Sequence, residues 1–527
     1  MNYKKIVEEL FLISMLIFLI LIGFWKLSEM PYWTPDEFWH GVFAVDILGY
    51  GIIKYIITVP FLIGYYNGPL HYYTLIPSLK FFGYSIQALR TPSLIIGTLT
   101  WLLMYLFTRE FFNKKTAFFT SLLMVITPAY FLNSRSAYEF ILLPFFAVLA
   151  LYLLNKYNEV GNKKYLYLFS LVCGLGLISK LNFLFFILSL VLALKFCPIF
   201  KRIKKISKNC LIAMLLFFLI GIYPLIFFNV RTDFHFVKEM VESFPKTPYG
   251  HEDLSNIPSN IKTSLLDRFP NFVEGDIIYI TEPLKLYNIP LLSLIFIFSL
   301  MYLSISILSK HHKIDFKSRK DMFMIINFFS IFILASTLTV NIFDSRTYII
   351  ILPFFVIIIG RTFYEASEIC RKFNKYYFID ILLIIIVISS GVFYFRKFFL
   401  QAEEHKESID YECIICLDKV VNSVLNLNHS NIMIDDEMGG YSRMFKWYLY
   451  KRNLYDENIS FLTHYENVNL DENSLYITST LCLPPFTTGM SRINFFNTLD
   501  NRNKTVVTED EIYSKSGELL YTIYRIT

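Results

Sequence analysis

The stretch LRTPSLIIGTLTWLLMYLFTREFFNKKTAFFTSLLMVITPAYFLNSRSAYEF covers residues 89–140. It holds most of two apolar runs, 88–107 and 116–132, parted by a short segment with Arg109, Glu110, Lys114 and Lys115. About 20 mostly apolar residues cross the hydrocarbon core of a bilayer as a helix. A hairpin of two membrane helices is therefore the reading, and the stretch ends in a turn, 133–140, that carries charge. The pattern recurs. Eleven candidate spans lie at roughly 10–28, 88–107, 116–132, 138–154, 165–179, 181–197, 210–229, 286–308, 322–343, 347–362 and 377–396. Lys180 separates the pair 165–179 and 181–197, which predicts a tight hairpin rather than one long span. The N-terminal run has no small-residue cleavage site behind it and reads as a retained first span.

Composition agrees. Of 527 residues, 55% are apolar and only 17% charged, against about 25% in soluble domains. The mean hydropathy is +0.48. A single soluble core does not grow past about 250–300 residues, so a soluble enzyme and a disordered chain are both excluded. The net charge of +6 carries no nucleic-acid signal, because in a membrane protein the placement of Lys and Arg matters more than their sum.

That placement is uneven. Lys201, Arg202, Lys204, Lys205 and Lys208 fill one short loop, and Lys310, Lys313, Lys317, Arg319 and Lys320 another. Lys114 with Lys115, Lys163 with Lys164, and Arg371, Lys372 and Lys375 fall on the same side as the N-terminus, with Lys4 and Lys5. The positive-inside rule makes that side cytoplasmic. Segment 29–87, loop 230–285 and the tail 397–527 are then outside. Two regions are expected: a membrane module, 1–396, and a small extracytoplasmic domain, 397–527. In the tail, 431–436, 459–464, 474–479 and 519–527 read as strands and 439–452 as a helix, the mixture of an α/β layer domain.

Chemistry-bearing residues gather on the outer side. In PYWTPDEFWHG (31–41), Thr34, Pro35 and Glu37 form a helix start with a capping box. Trp33, Phe38 and Trp39 suit an interfacial belt. Asp36 and Glu37 are also acids held at the membrane surface, where a carboxylate can take a proton from an acceptor hydroxyl. In NSRSAYEF (133–140), Glu139 lies near the outer end of a span. An ionisable group there is by default a functional candidate. The plainer reading is a loop acid paired with Arg135. Lys180 and Arg346 are cations beside outer span ends. They are either snorkelling or holding a lipid phosphate.

Seven cysteines are scattered, and only Cys413 and Cys416 are close in sequence. They suit a local disulfide. No zinc pattern is complete. His40, His71, His235 and His251 are outside and chemically able to ligate a metal, but none has a partner at metal-binding spacing. No metal or other cofactor is expected. Three sequons, at Asn428, Asn458 and Asn503, lie in the tail.

These motifs resemble the GT-C type multi-span glycosyltransferases of the dolichyl-phosphate-mannose protein mannosyltransferase and aminoarabinose transferase-like group. TPDEFWHG (34–41) resembles the acidic motif of that group's first outer loop, and NGPLHYY (67–73) its Pro-Pro-Leu-Tyr segment. Residues 89–140 resemble its longest shared stretch, and GLGLISKLNF (174–183) and SRTYIIILPFF (345–355) its later Lys and Arg segments. The resemblance covers about 30–360. It implies an α-helical polytopic fold of about 11 spans with an outer α/β domain. It further implies inverting transfer of a sugar from a polyprenyl or dolichyl monophosphate to an acceptor hydroxyl on a glycan, protein or lipid. Asp36 would be the catalytic carboxylate, Glu139 the second acid and Glu37 an adjunct. Lys180, Arg346 and Arg135 would lie near the lipid phosphate. Aminoarabinose transferases carry Glu-Lys before the prolines, where this chain has Asn67-Gly68, which removes a phosphate-binding Lys and a possible metal ligand. Other readings are a transporter or lipid flippase, whose matching halves are not seen here, and a non-catalytic envelope-assembly protein.

Overall fold

The computed structural model describes residues 3–28, 35–50, 57–58, 66–67, 69–234, 238, 261–273, 291–309, 315–338, 345–373, 409–427, 432–435, 459–462, 474–479 and 504–527, with isolated positions between 384 and 449. The described residues divide into two compact units.

The first unit takes Met1–Leu27, Ile53–Thr74 and Arg90–Phe398, and it is helical. Four of the described helical segments, Ile86–Phe111, Glu139–Val160, Phe316–Thr337 and Tyr348–Arg371, are long and apolar enough to cross a membrane. Two further pairs qualify only as bent spans, Lys114–Ile126 with Pro128–Ser134 and Lys208–Gly221 with Tyr223–Arg231, each turned by 66°. Shorter apolar helices include Lys164–Ser179 and Phe183–Phe196, the hairpin that Lys180 announces. Helices thus stand at ten of the eleven expected positions. Not all reach full length, and most of 377–396 lies outside the described residues. On Lys208–Gly221, Leu211, Ile212, Leu215, Leu216 and Ile220 are all exposed. Water would not tolerate such a face, whereas lipid does.

Both bends have a proline as cause. Pro128 has no N–H to give and holds Thr127 extended, at φ −74° and ψ 116°. Pro224 opens the second helix of the other pair. Small residues set how closely helices meet, as they do in membranes generally. A Cβ on Gly174 would stand 2.6 Å from the Phe218 carbonyl oxygen, and one on Gly221 would stand 2.7 Å from that of Leu171. Helix Phe183–Phe196 is tied to helix Phe316–Leu338 by Ser189, whose Oγ donates to Asn327 Oδ1 at 3.0 Å.

The basic loops of the sequence collect at one end of this unit. Lys115 pairs with Glu368 at 2.8 Å, Lys156 with Glu110 at 2.6 Å and Arg371 with Glu368 at 3.1 Å. Tyr157 and Gly161 meet Arg202. Helix Leu142–Val160 has 19 residues. At 1.5 Å per residue it separates this end from Glu139 by about 28 Å, close to the hydrocarbon thickness.

The second unit takes Ser28–Ile52, Leu75–Leu89 and Phe399–Thr527, so the tail does not stand alone as a domain beginning at 397. Its sheet has five strands: β3 Ile432–Asp435, β4 Ile459–Leu462, β5 Leu475–Thr478, β6 Val506–Tyr513 and β7 Leu519–Ile526. Two residue pairs earlier in the chain, β1 Ile57–Thr58 and β2 Tyr66–Asn67, form a separate small ladder. The order is β4-β3-β5-β7-β6. β3 runs parallel to β4 and β5, while β7 is antiparallel to β5 and β6. Helix Ile409–Asn426 belongs with this sheet: Tyr521 Oη of β7 donates to the Cys413 carbonyl at 2.8 Å. It buries Cys413, Cys416, Leu417, Val420, Val421 and Val424, one face at helical spacing. Cys413 is disulfide-bonded and Cys416 is not, so a local bridge between the two does not form.

Candidate functional site

The bend at Thr127 decides where the next residues go. Helix Lys114–Ile126 is capped by Asn113, whose side chain accepts from Thr116 N at 2.9 Å. After the bend, Pro128–Ser134 passes so close to helix Ile86–Phe111 that a Cβ on Gly97 would lie 2.6 Å from Ser134 Cβ. The chain then turns through Arg135–Tyr138 into a 3-10 turn, Glu139–Ile141, buried throughout.

Arg135, expected beside the lipid phosphate and as a partner for Glu139, is used otherwise. Its guanidinium is fully buried. It donates to the Ile22 carbonyl at 2.7 Å, to that of Gly23, and to that of Trp25 at 2.7 Å. Ile22 and Gly23 lie in the last turn of helix Tyr3–Phe24 and Trp25 follows it, carbonyls that a helix end leaves in need of donors. Arg135 therefore ties the turn at 135–138 to the end of the first helix.

Glu139 has a different partner. Its Oε1 accepts from Lys180 Nζ at 2.6 Å, and only 4% of the Glu139 side chain is exposed. Lys180 ends helix Lys164–Ser179 on extended backbone, φ −161° and ψ 138°, which turns its side chain out of the helical path. The same ammonium lies 3.8 Å from the centre of the Phe140 ring. Arg346, in the 3-10 turn Ser345–Ile351, is buried. Its Cζ stands 4.5 Å from the Tyr138 ring centre and 4.9 Å from that of Phe140. Three separate segments thus meet on Tyr138, Glu139 and Phe140, and three of the residues expected from sequence share one cluster.

Two cations at one aromatic ring repel each other. Glu139 offsets part of that repulsion. A ligand phosphate would offset more, through a guanidinium fork from Arg346 and a point charge from Lys180.

Sequence marks His71 as a histidine able to ligate a metal and as part of NGPLHYY. In the structure its Nε2 lies 3.1 Å from the Ala137 carbonyl, two residues before Glu139. It holds the backbone on which the cluster is built. The signal available was its place in NGPLHYY, beside the longest apolar stretch. Among the described residues no group of three or more His, Cys, Asp or Glu side chains is placed to hold a metal.

The acids of the first outer loop belong to the second unit. Asp36 is the second residue of helix Pro35–Tyr50, and Glu37, at the third, is buried. Thr34 and Trp33 of the expected cap and belt lie outside the described residues, as do His235 and His251. Phe38 is not a membrane anchor: it is 1% exposed and packs at 6.2 Å from Trp447 and 6.4 Å from Tyr448, ring centre to ring centre. Trp39 stacks edge-on with Phe43 at 4.4 Å.

Residues 66–228 match the family of dolichyl-phosphate-mannose-protein mannosyltransferases. No match is found among the curated proteins. Among solved structures, ArnT from Cupriavidus metallidurans bound to undecaprenyl phosphate is 12% identical, with a TM-score of 0.62 over 97% of each chain. Its apo form gives 0.58, also at 12% identity and 97% coverage of each chain. The Archaeoglobus fulgidus oligosaccharyltransferase tethered to an acceptor peptide is 13% identical, with a TM-score of 0.51 over 83% of this chain and 63% of that one. The chain therefore shares the GT-C type fold of ArnT over nearly its whole length and, over 66–228, the sequence pattern of the protein mannosyltransferase family.

Proposed function

We propose that this protein is an outward-facing, inverting glycosyltransferase that takes its sugar from a polyprenyl or dolichyl monophosphate. The observation that carries the reading is the convergence of Glu139, Lys180 and Arg346 on Tyr138–Phe140. Support comes from the fold shared with a protein bound to undecaprenyl phosphate and from the mannosyltransferase pattern.

In this reading Asp36 takes the proton of the acceptor hydroxyl as its oxygen attacks the anomeric carbon. The bond from that carbon to the phosphate oxygen breaks on the opposite face. The lipid phosphate leaves with the electron pair, and Lys180 and Arg346 take up its charge. Glu139 orients the sugar or the acceptor. The acceptor is a hydroxyl on a protein, glycan or lipid. Two features favour the outer face: the basic loops lie at the far end of helix Leu142–Val160, and Cys413 is oxidised, as in proteins of oxidising compartments.

The test is transfer by purified protein in liposomes from a synthetic polyprenyl-phosphate sugar, with the anomeric configuration of the product read by NMR. Inverted product from the lipid donor, and none from a nucleotide sugar, is expected. Turnover of the nucleotide sugar alone would remove this function. Surface glycans compared between parent and deletion strains would then name the acceptor.

A further inference from the structure

The helix that begins with Pro35-Asp36-Glu37 is seated against Trp447 of the tail. Gly41, one turn further on, faces the ring of Trp447. A Cβ built there would lie 2.7 Å from Cζ3 and 2.9 Å from Cε3 of Trp447, and 3.0 Å from Leu89 Cδ1. No side chain fits that gap without moving the indole or the helix. Trp447 is 1% exposed, so the indole has little room to yield. It stands edge-on to Phe38 at 6.2 Å and to Tyr84 at 6.1 Å. Tyr448 stacks on Phe38 at 6.4 Å. Phe38 and Gly41 are three residues apart, so both present one helical face to the tail. Glu37, next to Phe38, is buried as well.

From this packing we infer that Trp447 is a positioning residue for the acidic helix, so that the tail contributes to transfer by fixing where Asp36 and Glu37 stand. The inference rests on the proposed function, with Asp36 as base. A base must lie within hydrogen-bond reach of the hydroxyl it serves, and a displacement of about 1 Å can cost about 10²-fold. A bulky, rigid ring against a glycine is a contact that fixes helix depth and rotation together.

The experiment compares Trp447→Ala, Trp447→Phe, Gly41→Ala and Gly41→Val, with each Gly41 change also made in the Trp447→Ala background. Donor and acceptor are titrated separately in liposomes. Trp447→Ala and Gly41→Val are expected to lower kcat about 10- to 100-fold while the donor KM stays within about twofold. Trp447→Phe should recover most of the loss. Gly41→Val should cost far less in the Trp447→Ala background than alone, because the ring that it strikes is gone. Unchanged kcat in Trp447→Ala, or strict additivity of the two changes, would overturn the inference. A second readout does not need turnover. In an Asp36→Cys protein, the rate of labelling by a membrane-impermeant maleimide should change several-fold on Trp447→Ala or Trp447→Phe, and an identical rate in all three would also overturn it. Wild-type protein inactive with the lipid donor, but with the labelling shift present, would defeat the proposed function and leave the positioning role standing.

Discussion

Two arginines on one helical rod are held in opposite ways. Arg346 and Arg361 both lie within Ser345–Phe373, and 15 residues put them about 23 Å apart. Arg361 is gripped by carboxylates: its Nε donates to Asp321 Oδ1 at 2.9 Å, and Nη1 meets Glu365, which also pairs with Lys317 at 2.5 Å. That group sets two cations against two carboxylates. Arg346 instead lies over the rings of Tyr138 and Phe140 and shares the second with Lys180, whose ammonium pairs with Glu139. The first arrangement locks helix Phe316–Leu338 to Leu352–Phe373. The second gathers two cations around the aromatic rings of one turn, the kind of charge that would suit a phosphate. Burial and residue type are the same in both, and only the partners separate a structural arginine from a candidate ligand-binding one.

The largest expected effect lies at the Lys180 end. Lys180→Met should lower transfer at limiting donor by about 10²-fold or more, because it removes a charge opposite the leaving phosphate. It also strands buried Glu139, which destabilises the fold. Adding Glu139→Gln should restore thermal stability without restoring donor use, and recovery of both would make Lys180 structural only. At the other end, Arg361→Met should cost about 3–5 kcal/mol of stability by leaving carboxylates buried and unpaired. Protein that stays folded should keep its donor KM, so a large rise in that KM would erase the contrast between the two arginines. Arg346→Lys keeps charge but loses the planar fork and the ring stacking, and about a tenfold rise in donor KM is expected, read from initial rates. The smallest effect is at His71. His71→Ala should slow transfer about three- to tenfold by freeing the Ala137 carbonyl from a bond worth about 1 kcal/mol. His71→Gln, which keeps a donor, should recover most of it. Equal losses in both variants would mean that the ring, not its hydrogen bond, is what matters.

The charge patterns made much of this legible. Lys180 and Arg346 stood out because cations are rare beside the outer span ends, and Glu139 because acids seldom lie there. Which cation Glu139 meets was not legible, since Arg135 is four residues away in sequence while Lys180 is forty-one. Tertiary packing chose the distant one and sent Arg135 to the end of the first helix. The bends at Thr127 and Ile222 had a signal in Pro128 and Pro224, but smooth hydropathy masked it. In the tail, β3, β4, β5 and β7 follow from β-branched and aromatic runs. β6 carries Glu509, Asp510 and Glu511 in its middle, against strand propensity; Glu509 pairs with Arg525 at 2.5 Å and Glu511 is exposed. Helix Ile409–Asn426 has a clear apolar period at 413, 416, 417, 420, 421 and 424, two of whose positions are cysteines. That the acidic helix packs on Trp447 had no local signal, because Gly41 and Trp447 are four hundred residues apart.

The most direct measurement is the dependence of transfer rate on polyprenyl-phosphate sugar for the wild type and for Lys180→Met with Arg346→Met, in liposomes at saturating acceptor. The wild type should saturate with donor, and the double variant should need about 10²-fold more donor for the same rate while the apparent affinity for acceptor is unchanged. Superimposable donor curves for the two proteins would show that the cluster at Tyr138–Phe140 does not read the lipid phosphate.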